Sequence, residues 1–252
     1  MNFLLVGNSR LHWAEYVESE YKFFHTNKND ALPENINLDR IIWASVGEYP
    51  KFILKTENEI KTKDISLSNL PDFFGIDRAL ACLAALKIIE NPLKKNLLIA
   101  DFGTILSITK LNPNGSILGG QLIPGFLTQL KSMEQSTKNL TIPKKFDVPT
   151  KDFLINTEEA ILKGVTNSLN GFINSLFNPN KDILITCGGD SQFLTEFIKT
   201  KKKNIVNAPN LVMEGMIIHH LSLETNKKNI INAPNLVMEG MIIHHLSVKK
   251  LA

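Results

Sequence analysis

Four short apolar runs in this chain each climb into a glycine-bearing polar turn, and that recurrence limits the folds open to it. Asn2–Val6 enters Gly7-Asn8-Ser9, and Leu97–Ala100 enters Asp101-Phe102-Gly103-Thr104. Ile117–Ile123 enters Pro124-Gly125, and Ile183–Thr186 leads through Cys187 into Gly188-Gly189. Apolar runs this short, bounded by turn residues, read as buried strands, as does Ile41–Val46. Segments of helical character lie between them. DRALACLAALKII, from Asp77 to Ile89, is rich in Ala and Leu and is closed by Asn91-Pro92. Asn112-Pro113-Asn114-Gly115 supplies a hairpin turn between Ile105–Leu111 and Ile117–Ile123. A helix is expected after Gly125, and a short one over Ser191–Ile198. Another is expected from Thr157 toward Leu176, with Thr157 as N-cap and Glu158-Glu159 as first-turn acids suited to the helix dipole. Strand–turn–strand followed by helix thus occurs twice, which predicts two similar α/β lobes with a cleft between them.

Composition narrows the partners. A length of 252 residues, 43% hydrophobic and 21% charged, suits a protein with a real core, as one large domain or two small ones. A net charge of +3 is too small to point to nucleic acid, and Lys201-Lys202-Lys203 reads as a solvated loop. Cys82 and Cys187 lie in apolar runs, which predicts buried thiols and a reducing compartment. The sequence has neither an 18-residue apolar run nor a charged leader followed by a cleavage site. The expectation is a cytoplasmic protein with no membrane partner.

Three segments carry chemistry. In IADFGTILSITKLNPNGSILGGQLIPG, Asp101 ends a strand where a carboxylate can hold a cation, and Thr104 and its neighbouring N–H groups can face phosphate oxygens. The same residues also describe a β-hairpin with an acidic cap. In Gly75-Ile76-Asp77-Arg78, Asp77 heads a helix as an N-cap, or takes a proton from a substrate hydroxyl while Arg78 orients the substrate. In Thr186-Cys187-Gly188-Gly189-Asp190, the glycines make a strand-to-helix turn or let an adenosine lie against the backbone. The paired His219-His220 and His244-His245 point about 100° apart on a helix and make poor co-ligands for a metal. Trp13, Trp43, Phe73 and Phe74 are expected in the core.

In order along the chain, GNSRLHWA, ASV, GIDRALA, DFGT, GGQLIPG, NTEEAILKG, ITCGGD and NLVMEGM resemble the type III pantothenate kinases, a family of the acetate/sugar kinase, Hsp70 and actin superfamily. The resemblance implies two actin-like, ribonuclease H-like lobes, with mixed sheets flanked by helices around a cleft. It implies phosphorylation of pantothenate to 4'-phosphopantothenate by ATP, the first step of coenzyme A biosynthesis. Asp77 would be the general base, with Gly75, Ile76 and Arg78 shaping the pantothenate pocket. Thr157 would reach substrate across a homodimer interface. Gly7, Asn8, Ser9 and Arg10 would form the first phosphate loop, and Thr104, Gly188 and Gly189 would contact ATP. Asp101 would hold a monovalent cation, potassium or ammonium, and Mg²⁺ would accompany ATP. The implied division is a first lobe over 1–96, a second over 97–223, and a duplicated tail over 224–252.

Two departures and one duplication stand out. The family's first loop reads D-x-G-N-T, so its carboxylate falls at Leu5 here. An aromatic residue that contacts substrate falls at or near Pro71, with Phe73 and Phe74 as the nearest stand-ins. Losing a metal-organising carboxylate weakens Mg-ATP binding or transfer, because charge stabilisation is commonly the largest catalytic contribution. The retained Asp77, Asp101 and Thr104 favour a working kinase. The alternatives are a catalytically impaired, nucleotide-binding relative with a regulatory or accessory role, and a kinase of another small molecule. Finally, residues 202–222 and 227–247 differ only at Val206 and Ile231, and a single packing site takes one copy. The first copy is expected to supply the closing helix, from Asn210 to Leu221.

Overall fold

The computed structural model describes residues 1–89, 94–195, 198 and 204–229, which form two compact units. The first comprises Met1–Lys94, Leu111–Leu118 and the described chain from Asn210 onward; the second comprises Lys95–Lys110 and Gly119–Pro209. The closing segment, grouped from the sequence with 97–223, therefore packs with the N-terminal residues.

In the first unit, β1 (Asn2–Val6), β2 (Arg10–Val17), β3 (Glu20–Asn27) and β4 (Ile41–Ser45) form a mixed sheet in the order β3-β2-β1-β4. β1 runs antiparallel to β2 and parallel to β4, and all five of its residues are buried, as the apolar run Phe3–Val6 requires. Leu4, Val6, Leu11, Trp13, Ile41 and Trp43 join Ile36 and Ile53 in one core cluster. The Trp13 indole donates to Thr26 Oγ1 at 2.9 Å, so its polar edge is satisfied inside that core. Helix α1 (Ile76–Ile88) buries Ile76, Ala79, Leu80, Ala81, Cys82, Ala84, Ala85 and Ile88. Its small side chains admit a close neighbour.

The second unit carries β5 (Asn96–Phe102), most of β6 (Ile105–Leu111) and of β7 (Ile117–Pro124), β8 (Asp182–Cys187) and β9 (Ile205–Asn207), in the order β7-β6-β5-β8-β9. β8 is parallel to both β5 and β9. Helices α2 (Phe126–Ser136) and α3 (Thr157–Leu176) cover a core that includes Leu98, Phe102, Leu106, Leu130, Leu162, Val165, Leu169 and Leu184. The N-cap of α3 is Asn156 rather than Thr157: Asn156 has extended backbone, and its side chain accepts from the Glu159 N–H at 3.1 Å. Thr157 is the first helical residue. Helix α4 covers Ser191–Thr195; residues 196–197 of the expected Ser191–Ile198 lie outside the described residues.

The first repeat copy divides between the units. Its Ile205–Asn207 forms β9, and its Leu211 opens α5 (Leu211–Asn229), which runs past the expected end at Leu221. Leu211, Met213, Met216, Ile217 and Ile218 of that copy are buried, as expected for the copy that fills the site. The second copy, apart from its first three residues, lies outside the described residues. Those three, Lys227-Lys228-Asn229, are helical, whereas the matching Asn204 is a turn residue with φ 71°. The same local sequence takes its conformation from what precedes it. Phe73, expected in the core, is 91% exposed, because the core-facing position of that turn goes to Phe74. Cys82 and Cys187 are both buried. No helix among the described residues is long and apolar enough to cross a membrane.

Helices α1 and α5 meet at Gly215, where a Cβ would strike the Leu80 carbonyl oxygen. Gly215→Ala is expected to destabilise the chain by about 1–3 kcal/mol by forcing the two helices apart. The check is the urea midpoint, which falls if the crossing is as tight as described and stays put if it is not.

Candidate active site

The first unit brings three sequence motifs together at the ends of β1 and β4. Gly7 is buried in the turn between β1 and β2, closed by its N–H donating to the Arg10 carbonyl at 3.0 Å; Asn8, Ser9 and Arg10 are exposed. The segment after β4 lies against this turn. The Val46 N–H donates to the Val6 carbonyl at 3.0 Å, and a Cβ on Gly47 would sit 2.6 Å from the Gly7 carbonyl oxygen. Leu5, where the family pattern has an acid, is 6% exposed. Its partners across the sheet are Ala44 on one side and His12 on the other, and His12 pairs in turn with His25.

Ser45 and Val46 also line an open cleft of about 730 Å³, together with Tyr49, Glu59, Lys61, Thr62, Phe74, Gly75 and Ile76 among others. Its polar wall is ordered: Tyr49 donates to Glu59 at 3.0 Å, Lys61 pairs with Glu59 at 3.2 Å, and Thr62 Oγ1 donates to the Phe74 carbonyl at 2.8 Å. Gly75 is the N-cap of α1, and the Asp77 carboxylate folds back over it, where a Cβ would be 2.7 Å from Asp77 Oδ1. Asp77 is therefore not the cap. It sits in the first turn and accepts from the Arg78 N–H at 2.8 Å. Burial raises its carboxyl above the ordinary carboxylate value, against the opposing pull of the Arg78 N–H and guanidinium. The Arg78 guanidinium lies 4.0 Å over the Phe74 ring, which gives the cation a fixed platform. Asp77 and Arg78 are half-buried and follow the cleft-lining Gly75 and Ile76 directly in sequence.

The second unit brings the other motifs together. Asp101 is half-buried near the end of β5. Gly188, with φ +87°, follows β8 at a place where a Cβ would strike Asp101 Oδ1 and lie 2.5 Å from the Phe102 carbonyl oxygen. No other residue adopts that backbone and fits that space. The Asp190 N–H donates to the Phe102 carbonyl at 3.2 Å. Gly125 packs on the Gly103 carbonyl, and its N–H donates to the Thr104 carbonyl at 2.9 Å; Thr128 Oγ1 donates to the same oxygen at 2.6 Å. DFGT, LIPG and CGGD thus form one backbone-packed cluster, with Thr104 and Gly189 exposed on it. Thr157 is exposed at the start of α3.

Sequence reasoning did not single out His12, His25, Phe74 as a platform, or the Tyr49–Glu59–Lys61 wall. The alternation of β2 placed His12 on the face shared with Leu5, a signal available in GNSRLHWA. The cleft wall comes from residues distant in sequence and had no such signal.

Comparison with known proteins identifies the family. The family model for type III pantothenate kinase matches residues 48–178. A type III pantothenate kinase from Synechocystis is 30% identical over 236 residues, covering 86% of this chain and 89% of the relative. One from Flavobacterium johnsoniae is 29% identical, covering 84% of this chain and 93% of the relative. Among solved structures, a conserved Campylobacter jejuni protein assigned to the Baf family of transcriptional activators superposes with a TM-score of 0.64 at 21% identity. It spans 90% of this chain and the whole of its own, and shows that the fold is shared. With the ordered motifs, the two backbone-packed clusters and relatives that match over most of their length, the chain belongs to the type III pantothenate kinase family.

Proposed function

We propose that Asp77 is the general base in the ATP-dependent phosphorylation of pantothenate to 4'-phosphopantothenate, the first step of coenzyme A biosynthesis. The carboxylate's position carries this reading: it stands in the first turn of α1, next in sequence to two residues that line the cleft, with a braced guanidinium beside it. Phosphoryl transfer asks the protein mainly for alignment and charge neutralisation. Asp77 takes the proton of the primary hydroxyl as that oxygen attacks the γ-phosphorus and ADP departs. Burial makes it a stronger base than an exposed aspartate. Gly75 and Ile76 shape the pantothenate pocket, and Arg78, placed over the Phe74 ring, orients the substrate through its donors. Thr157 reaches the substrate of a second copy in a homodimer.

ATP is held by Gly7, Asn8, Ser9 and Arg10 at its phosphates, by Thr104, and by Gly188 and Gly189 near the adenosine. A monovalent cation, potassium or ammonium, fits at Asp101. Its carboxylate Oδ1 and the Phe102 carbonyl oxygen both lie close beside Gly188, and these are hard oxygen donors. Such an ion supplies positive charge close to the phosphates. Kinases that use ATP work with a divalent metal such as Mg²⁺. The first loop of this chain does not fit one, since Leu5 is apolar and buried where the carboxylate belongs.

Asp77→Asn is expected to lower kcat by about 10²–10⁴-fold with little change in KM for ATP, and an unchanged kcat contradicts the role. The base works ionised, so kcat/KM should fall as pH drops through the raised carboxyl value, at a higher pH than an ordinary aspartate would give. Asp101→Asn should abolish stimulation by potassium and ammonium over sodium while the chain stays folded. Equal stimulation in the variant removes Asp101 from the cation site.

A further inference from the structure

The row Ala44–Leu5–His12–His25 crosses the first sheet beside the Gly7 turn, with two imidazoles next to the position that lacks its acid. His12 Nε2 lies 3.0 Å from the point a Cβ on Gly7 would occupy, so the ring rests on the turn itself. His12 Nδ1 is 3.1 Å from His25 Nδ1. One of these two nitrogens must carry the proton. When His25 donates, the His12 proton sits on Nε2, and the ring presents an N–H donor to the turn. Two further cations border the same place. Arg10 ends the turn and acts electrostatically on both imidazoles. Lys28 Nζ is 2.9 Å from the point a Cβ on Gly47 would occupy, and the Gly7 carbonyl oxygen is 2.6 Å from that same point.

We infer that His12, held by His25 and flanked by Arg10 and Lys28, binds the ATP phosphates directly, in place of a divalent metal organised by this loop. The inference rests on the reading of Gly7 to Arg10 as a phosphate loop. The chemistry of the donors separates the two possibilities. A magnesium ion wants oxygen ligands, and this row offers Leu5, Ala44 and imidazoles beside a guanidinium, a set that repels a cation and attracts an anion. The charges acting on His12 are those of His25 and Arg10; with burial first among the causes, they push its imidazole down to about 4. The resting ring is therefore a neutral donor, and an arriving phosphate favours its protonated form, which strengthens the contact. His25 is a positioning residue that fixes which nitrogen of His12 bears the proton.

The test is calorimetric titration of the full chain with ATP and with adenosine, each with Mg²⁺ and with EDTA. Wild-type chain should keep most of its ATP affinity in EDTA. His12→Ala should weaken ATP binding about 10–100-fold, the loss of a hydrogen bond to a charged group, and leave adenosine binding unchanged. His12→Gln keeps an amide N–H near the place of Nε2 and should restore most of the affinity; His25→Ala should cost a few-fold. ATP affinity that collapses in EDTA, or is unchanged in His12→Ala, overturns the inference while adenosine binding leaves the kinase reading intact. If His12→Ala loses adenosine binding too, the glutamine variant decides, with ATP affinity recovered in support and adenosine-only binding against. Wild-type chain that binds adenosine and ATP equally overturns the phosphate-loop reading as well.

Discussion

A Cβ on Gly188 would strike the Asp101 carboxylate and crowd the Phe102 carbonyl, and one on Gly125 would strike the Gly103 carbonyl. Gly47 stands in the same relation to Gly7. Close contacts of this kind, open only where a side chain is missing, hold the Gly7 turn in the first unit and the DFGT, LIPG and CGGD segments in the second. The reason is mechanical. Long side chains rotate, but a backbone pinned by hydrogen bonds from Gly125 and Asp190 does not, and phosphate recognition by N–H groups needs that rigidity. Asp101 gains its direction from β5, near whose end it lies. Asp77 gains its own from a helix whose small, buried face accepts α5 at Gly215.

Much of this was legible because it was local. The unbroken apolar runs of β1 and β8 could only be buried strands, and Asn112-Pro113-Asn114-Gly115 could only be a turn; both features stand in the structure. The motif residues clustered in each unit because they lie at strand ends. What failed was finer or less local. Asn156 outcompeted Thr157 as cap because its backbone turns out of the helix one residue earlier. Phe73 and Phe74 are indistinguishable by type, and only the turn geometry buries one and exposes the other. The cleft wall of Tyr49, Glu59 and Lys61 had no signature, since what makes it a wall is the fold that carries it opposite Gly75.

The missing acid changes its meaning once the sheet is in view. In sequence Leu5 reads as a loss. In the structure it is a well-packed member of β1 whose cross-strand neighbours are His12 and then His25, and a carboxylate there would face imidazoles rather than an open metal position. Leu5 is buried where it stands, beside a row that attracts an anion rather than a cation. The repeat gives a parallel lesson about context. The first copy's apolar residues are buried along α5, and the helix then carries on into a Lys-Lys-Asn whose counterpart asparagine, Asn204, is a left-handed turn.

Without the loop acid, the chain is still a working pantothenate kinase. The most direct measurement is transfer of the γ-phosphate of ATP to pantothenate by the wild-type chain in potassium, followed by phosphorus NMR of the product. Steady formation of 4'-phosphopantothenate at more than one turnover per chain is the predicted result. A folded chain that binds ATP and pantothenate but forms no phosphate ester would contradict it.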